Sequence, residues 1–119
     1  MPAWLPPGAK REWKRVAPEL EAVGLLTEVD MLAFASYCIA ADQLERATRA
    51  LKPTRANRRP EIQITDNGYE TVSGTELMRR NAVKEIRAFA AEFGFTPAQR
   101  SRISVPGKPD EGLWSGLGG

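Results

Sequence analysis

The sequence predicts a mainly α-helical protein that carries a small β-hairpin between two long antiparallel helices. Three observations support this fold class. Apolar residues recur at spacings of three and four over residues 9–22, 27–52 and 75–93, which is the period of amphipathic helices. The pair Asn67-Gly68 separates two short segments rich in isoleucine, threonine and valine, as in a hairpin. Neither proline nor glycine occurs between Thr27 and Lys52, so the middle helix is expected to be long.

The first predicted helix spans Ala9–Ala22 and follows a proline-rich segment, residues 1–8, which we interpret as a flexible N-terminal arm. Its apolar stripe consists of Trp13, Val16, Ala17 and Leu20. Pro18 is expected to kink this helix or start a new turn, and Gly24 is expected to end it.

The second predicted helix begins with Thr27 as N-cap and is apolar nearly all round in its first half. A helix that is apolar on every side must be covered on every side, so we infer a neighbouring subunit. The alternative is that the other helices and the hairpin cover it alone.

The apolar residues of this helix fall into two seams. One seam consists of Val29, Leu32, Ser36 and Ile39. The other seam is the predicted oligomer interface, which consists of Phe34, Tyr37, Ala41, Leu44, Thr48 and Leu51.

The hairpin is predicted with strands at Glu61–Thr65 and Tyr69–Ser73. A three-residue loop with Gly68 in the left-handed region pairs Ile62 with Val72, and we prefer it to a two-residue Asn67-Gly68 turn because it gathers the apolar residues on one face. The last long helix is expected to start at the N-cap Thr75 and to end at Gly94. A capping box at Thr96–Gln99 predicts a short C-terminal helix through Ile103. The predicted core thus spans residues 9–104, with the hairpin at 61–73 and a flexible tail at 105–119.

The charges are segregated although the net charge is only +2. The segment from Arg46 to Arg59 holds six basic residues and no acid, and four basic residues stand against Glu12 alone between Lys10 and Arg15. Such faces attract polyanions, whereas the alternative is a solvated basic end that complements a helix dipole. The candidate DNA contacts are Lys10, Arg11, Lys14, Arg15, Arg46, Arg49, Lys52, Arg55, Arg58 and Arg59. The four basic residues from Arg79 to Arg87 are mixed with Glu76 and Glu85, which favours pairing between charges over DNA contact.

The residues that most catalytic sites need are missing. The chain has no histidine, a single cysteine and no glycine-rich phosphate loop with lysine, so we predict no enzyme, no metal site and no cofactor. The acids, including Asp42 with Glu45, are interpreted as surface charge. The longest uncharged apolar run, Met31–Ala41, is too short to span a membrane. Leu113 and Trp114, in the glycine-rich tail, are either a partner-binding anchor or part of a disordered end.

The order of these signals resembles the P27 family of phage terminase small subunits over roughly residues 13–104. The resemblance is carried by Gly24-Leu25-Leu26-Thr27 followed by Asp30, and by the ending from Phe93 through Thr96-Pro97 to Arg102. It implies a ring-shaped homo-oligomer in the host bacterial cytoplasm. This ring would bind viral double-stranded DNA and deliver it to the large terminase subunit, an ATPase and nuclease. Pro18 and the short tail depart from the family pattern.

Two other functions remain open at this stage. A helical transcriptional regulator would need a helix-turn-helix with a short turn, whereas a basic loop and a hairpin separate the two long helices here. In a purely structural oligomer, the basic clusters would only offset acids on neighbouring subunits.

Overall fold

The computed structural model describes residues 1–27 and 30–93, which form three helices and one two-stranded antiparallel sheet. The helices are α1 (Pro7–Ala22), α2 (Met31–Ala50) and α3 (Gly74–Glu92), and the strands are β1 (Ile62–Ile64) and β2 (Glu70–Val72). The predicted fold class, mainly helical with a small hairpin, is confirmed. The predicted short C-terminal helix, the tail and the pair Leu113-Trp114 lie outside the described residues. Among the described residues, no helix is long and apolar enough to cross a membrane.

Helix α1 begins at Pro7, two residues earlier than predicted. Proline suits the first turn of a helix because its φ is already helical and its missing N–H would have had no partner. The predicted apolar stripe of α1 is buried, and the helix continues through the exposed Pro18. Leu5, in the predicted arm, is only 3% exposed and packs into the core.

Helix α2 begins at Met31, with Asp30 as its N-cap, so the predicted N-cap at Thr27 is wrong. The Thr27 hydroxyl donates a hydrogen bond to Oδ2 of Asp30 over 2.7 Å. The helix ends at Ala50 with Leu51 as C-cap, so it is 20 residues long.

An aromatic cluster joins all three helices. The Trp13 ring of α1 lies 4.5 Å from Phe34 of α2, and Tyr37 of α2 stacks at 4.7 Å on Phe89 of α3, which in turn stacks at 4.4 Å on Phe93. The first half of α2 therefore packs against the last half of α3, and the two helices run antiparallel as predicted. Because α1 and α3 flank it, most of the apolar first half of α2 is covered within the chain.

The hairpin has the predicted three-residue register. Ile62 pairs with Val72, and the Thr65 amide donates to the carbonyl oxygen of Tyr69 over 2.8 Å. Gly68 has a φ of +85°, which glycine adopts without the steric cost that a Cβ would bring.

Helix α3 starts earlier than predicted because Ser73, not Thr75, is its N-cap. The Ser73 hydroxyl accepts a hydrogen bond of 3.2 Å from the Glu76 amide, which is the usual capping arrangement. Ser73 also donates its own amide to the carbonyl oxygen of Glu61, so the same residue joins the hairpin to the helix.

Candidate nucleic-acid interface

A close approach between Gly8 and Asp42 fixes how α1 crosses α2. A Cβ at position 8 would lie 1.8 Å from Oδ1 of Asp42, so only glycine fits there without a shift. The Asp42 side chain is 7% exposed, and its Oδ2 pairs with Nε of Arg46 at 3.1 Å. The N-cap residue of α1, Pro6, offers no capping side chain, and the Asp42 carboxylate brings negative charge to the positive end of that helix. The prediction that Asp42 is a solvated surface acid is therefore wrong.

This crossing brings the two predicted basic segments together. Arg11 of α1 and Arg46 of α2 line one groove of about 270 Å³, together with Asp42 and Glu45. The cations of α2 are largely neutralised there, because Arg46 pairs with Asp42 and Arg49 pairs with Glu45 at 2.9 Å. Arg11 is exposed and has no acid within ion-pair distance among the described residues. It is the cation of this groove that has no ion-pair partner among the described residues, although the groove lining as a whole holds two bases and two acids.

Arg15, another predicted DNA contact, takes part in a network between α1 and α2. Its Nε and Nη2 donate to the two carboxylate oxygens of Glu12, each over 2.8 Å, and the Tyr37 hydroxyl donates to Oε2 of Glu12 over 2.5 Å. Burial and the hydrogen bond to Glu12 raise the pKa of Tyr37. The Arg15 charge is thus matched within the chain. The two remaining predicted contacts on α1 differ in exposure, with Lys14 exposed and Lys10 half-buried.

The loop between α2 and β1 presents three exposed cations that are not matched by acids in the described part of the chain. Lys52, Arg55 and Arg58 are exposed and have no acid within ion-pair distance in the described part of the chain. Arg59 differs, because its two terminal nitrogens donate to the carboxylate oxygens of Glu70 over 2.8 and 3.1 Å. These hydrogen bonds tie the loop to strand β2 and lower the pKa of Glu70.

Two of the six residues of the predicted oligomer interface are buried within the chain. The side chains of Phe34 and Tyr37 are 0% and 3% exposed because α1 and α3 cover them, so neither is available to a second subunit in this conformation. Of the other four, Thr48 is exposed and three are half-buried, namely Ala41, Leu44 and Leu51. The exposed strip of α2 is the other seam, where Leu32 is 71% exposed, Ser36 is exposed and Ile39 is half-buried.

Three buried or partly buried acids organise these surfaces and were not foreseen. Asp42 and Glu76 are buried, and the Glu12 side chain is 13% exposed. Their spacings to Arg46, Arg79 and Arg15 are the usual helix pairs, so the pairing itself has a local signal in the sequence. The burial of these three acids has no such local signal in the sequence, because it depends on which helix packs over each acid.

The fold and its surface define a small helical protein whose exposed cations include a group at the α1–α2 groove and a group in the loop before β1. A family model described as phage terminase, small subunit, matches residues 9–110. The chain therefore belongs to the phage terminase small subunit family, and this membership supports a role in phage genome packaging. Comparisons with curated proteins and with solved structures found no match. Within the described residues, no group of three acids or cysteines is arranged to hold a metal ion.

Proposed function

We propose that this protein is the DNA-recognition adaptor of a phage packaging motor. It forms a homo-oligomeric ring in the host cytoplasm, binds viral double-stranded DNA and delivers it to the large terminase subunit, which carries the ATPase and nuclease. The chain itself catalyses no reaction. The observation that carries the proposal is the family match from residue 9 to residue 110. The motif order from Gly24 to Arg102 further favours the P27 family within it.

The loop cations support the DNA-binding part of the proposal. Lys52, Arg55 and Arg58 are exposed, lie within seven residues of one another and are not matched by acids in the described chain. Positive groups on a loop can follow a phosphate backbone and release its counterions, which drives binding at low salt. Arg11 extends this contact from the α1–α2 groove. Arg15, Arg46, Arg49 and Arg59 contribute less, because each already pairs with an acid.

The exposed seam of α2 supports the oligomeric part. Leu32 is 71% exposed at the start of the helix, and Ser36 and Ile39 continue the same line at spacings of four and three. We propose that this seam, in place of the inward-facing Phe34 and Tyr37, contacts the neighbouring subunit. Thr48, which is exposed on the far side of the helix from this seam, stays a candidate for a separate subunit contact.

Light scattering combined with DNA titration tests both parts. The wild-type mass is measured with and without duplex DNA at about 50 and 200 mM salt, a range over which backbone contacts weaken strongly. We expect a large oligomer and a salt-sensitive complex. A stable monomer would refute the adaptor, a dimer with tight binding to one sequence would favour a regulator, and a large oligomer without DNA affinity would favour a structural role.

A charge-removal variant tests the loop. Replacing Arg55 and Arg58 by glutamine is expected to weaken DNA binding. The salt slope, which is the slope of log K against the logarithm of the salt concentration, should fall in magnitude by about 1.8, or 0.9 for each lost phosphate contact. The control is Arg49→Gln, compared per charge removed, because Arg49 is also exposed but is paired with Glu45. Equal effects of the two variants would mean that unpaired charge is not what binds DNA.

A further inference from the structure

The outer face of α3 carries exposed cations that its own acids do not neutralise. Glu76 is buried and engages Arg79, through Nε to both of its carboxylate oxygens, and Arg80, whose Nε lies at 3.3 Å from Oε1. One carboxylate thus serves two guanidinium groups. Further along the helix, Lys84 and Arg87 are exposed and have no acid within ion-pair distance in the described part of the chain. The acids that lie near these cations in the sequence therefore do not pair with all of them in the structure.

Apart from Glu76, which Arg79 and Arg80 engage, the acids of α3 lie on other parts of the helix surface. At about 100° per residue, Arg80, Lys84 and Arg87 fall within roughly 60° of arc, and we call these three residues the α3 stripe. Glu85 and Glu92 lie at least about 80° from the nearest member of the stripe. A groove of about 380 Å³ runs beside it, lined by Arg79, Asn81, Leu77, Val83 and the stripe itself, with no acid in its lining.

We propose that the α3 stripe binds the phosphate backbone of duplex DNA, as a second contact surface beside the loop that holds Arg55 and Arg58. This inference rests on the proposed DNA-binding function. The stripe extends about 10.5 Å along the helix axis, a length over which one strand of B-DNA presents about three phosphates. Guanidinium and ammonium groups donate charge-assisted hydrogen bonds to phosphate oxygens, and Asn81 adds an amide donor.

The composition of the stripe favours DNA over a second copy of the chain. Lysine is depleted at the centres of protein–protein interfaces because its ammonium group is costly to desolvate, yet Lys84 is the middle residue of the stripe. Backbone contacts with DNA leave such a group close to water and to a dense row of negative charge. Glu76 also stabilises the stripe, because its carboxylate holds the Arg80 side chain at the start of the stripe.

Fluorescence anisotropy with a labelled mixed-sequence duplex tests the proposal on the intact chain. The variant Lys84→Gln with Arg87→Gln removes the two unpaired charges and leaves Arg80 and its Glu76 contact in place. We expect affinity to fall at least about tenfold at low salt and the salt slope to fall by about 1.8. The control Glu85→Gln changes an exposed acid on the same helix outside the stripe. It is expected to keep the wild-type slope.

The outcomes separate this proposal from the adaptor function. If the wild-type chain binds no duplex, the proposed function fails and the inference fails with it. If the wild type binds and the loop variant weakens binding, while the α3 variant matches the wild type, only the inference is overturned. A changed oligomer mass for the α3 variant in light scattering would overturn it too, because the stripe would then belong to a subunit contact.

Discussion

The contact between Gly8 and Asp42 makes a strong prediction about the substitution Gly8→Ala. Alanine normally stabilises a helix relative to glycine by up to about 1 kcal/mol, so its direct effect on α1 is favourable. Here the new methyl group would lie 1.8 Å from Oδ1 and 2.5 Å from Cγ of Asp42, well inside van der Waals contact. We therefore expect a substitution that favours the helix to destabilise the protein.

The magnitude follows from what must move. Contacts under 3.0 Å essentially never occur for a real Cβ, so the carboxylate and the methyl group must separate by more than about 1 Å. Asp42 is 7% exposed, so the shift either drives α1 away from α2 or breaks the ion pair with Arg46. Overpacking of this kind costs about 1–3 kcal/mol, which corresponds to a melting temperature lower by roughly 10 °C.

A double-mutant cycle isolates the clash. Asp42→Ala alone should cost about 1–2 kcal/mol, through the lost ion pair and the lost charge at the start of α1. In the double variant Oδ1 and Cγ of residue 42 are gone, and its Cβ lies 3.3 Å from the new methyl group, a tight but tolerable contact. Its unfolding free energy in urea should therefore be close to that of Asp42→Ala. The coupling is then about 2 kcal/mol.

Gly74→Ala is the matched control, because Gly74 is also a helix residue and a Cβ there meets nothing within 4 Å. It is expected to be neutral or slightly stabilising. If Gly8→Ala behaves like Gly74→Ala, or if its cost simply adds to that of Asp42→Ala, the close approach of the two helices is refuted.

Three further predictions concern other parts of the chain. Ser73→Ala should lower the unfolding free energy by about 1 kcal/mol, because the Glu76 amide loses its cap, and Ser73→Asp should retain most of it; urea denaturation measures both. Burial raises the pKa of the Cys38 thiol to about 12, so a thiol reagent at pH 8 should react only on unfolding. That folded pKa lies above the ordinary 9.0, so the stability contribution of the protonated thiol is complete below pH 9 and is lost as pH rises towards 12. Chemical denaturation of the wild type across this pH range measures the loss, with Cys38→Ala as the control. Gly68→Ala should cost the hairpin about 1 kcal/mol, seen as faster amide exchange in both strands while the helices keep their protection.

Local patterns predicted the elements of this fold well. The three apolar stripes and the hairpin register depend on spacing and on turn residues, which act over a few positions. The helix starts were less accurate, since serine, threonine, aspartate and proline compete for the same cap. At the start of α2, the Thr27 side chain bonds to Asp30 and the helix begins only at Met31.

The surfaces were harder to predict because they depend on how the helices cross. Phe34 and Tyr37 have the spacing of an interface seam, yet the other two helices cover them and leave Leu32 exposed. Similarly, the spacing of Asp42 and Arg46 indicates their ion pair in the sequence, but only the fold shows that Asp42 is buried. Arg55 has no acid within ion-pair distance in the described part of the chain.

The hairpin has a consequence for local dynamics. Its two three-residue strands contact chiefly each other, and short two-stranded ladders are only marginally stable. It should therefore act as a separate cooperative unit that opens while the helices stay folded. Arg59 belongs to the basic loop and pairs with Glu70 of strand β2. A phosphate that binds Arg59 in place of Glu70 would therefore weaken the hairpin. Opening of the hairpin and engagement of a polyanion would then be thermodynamically linked, each making the other easier.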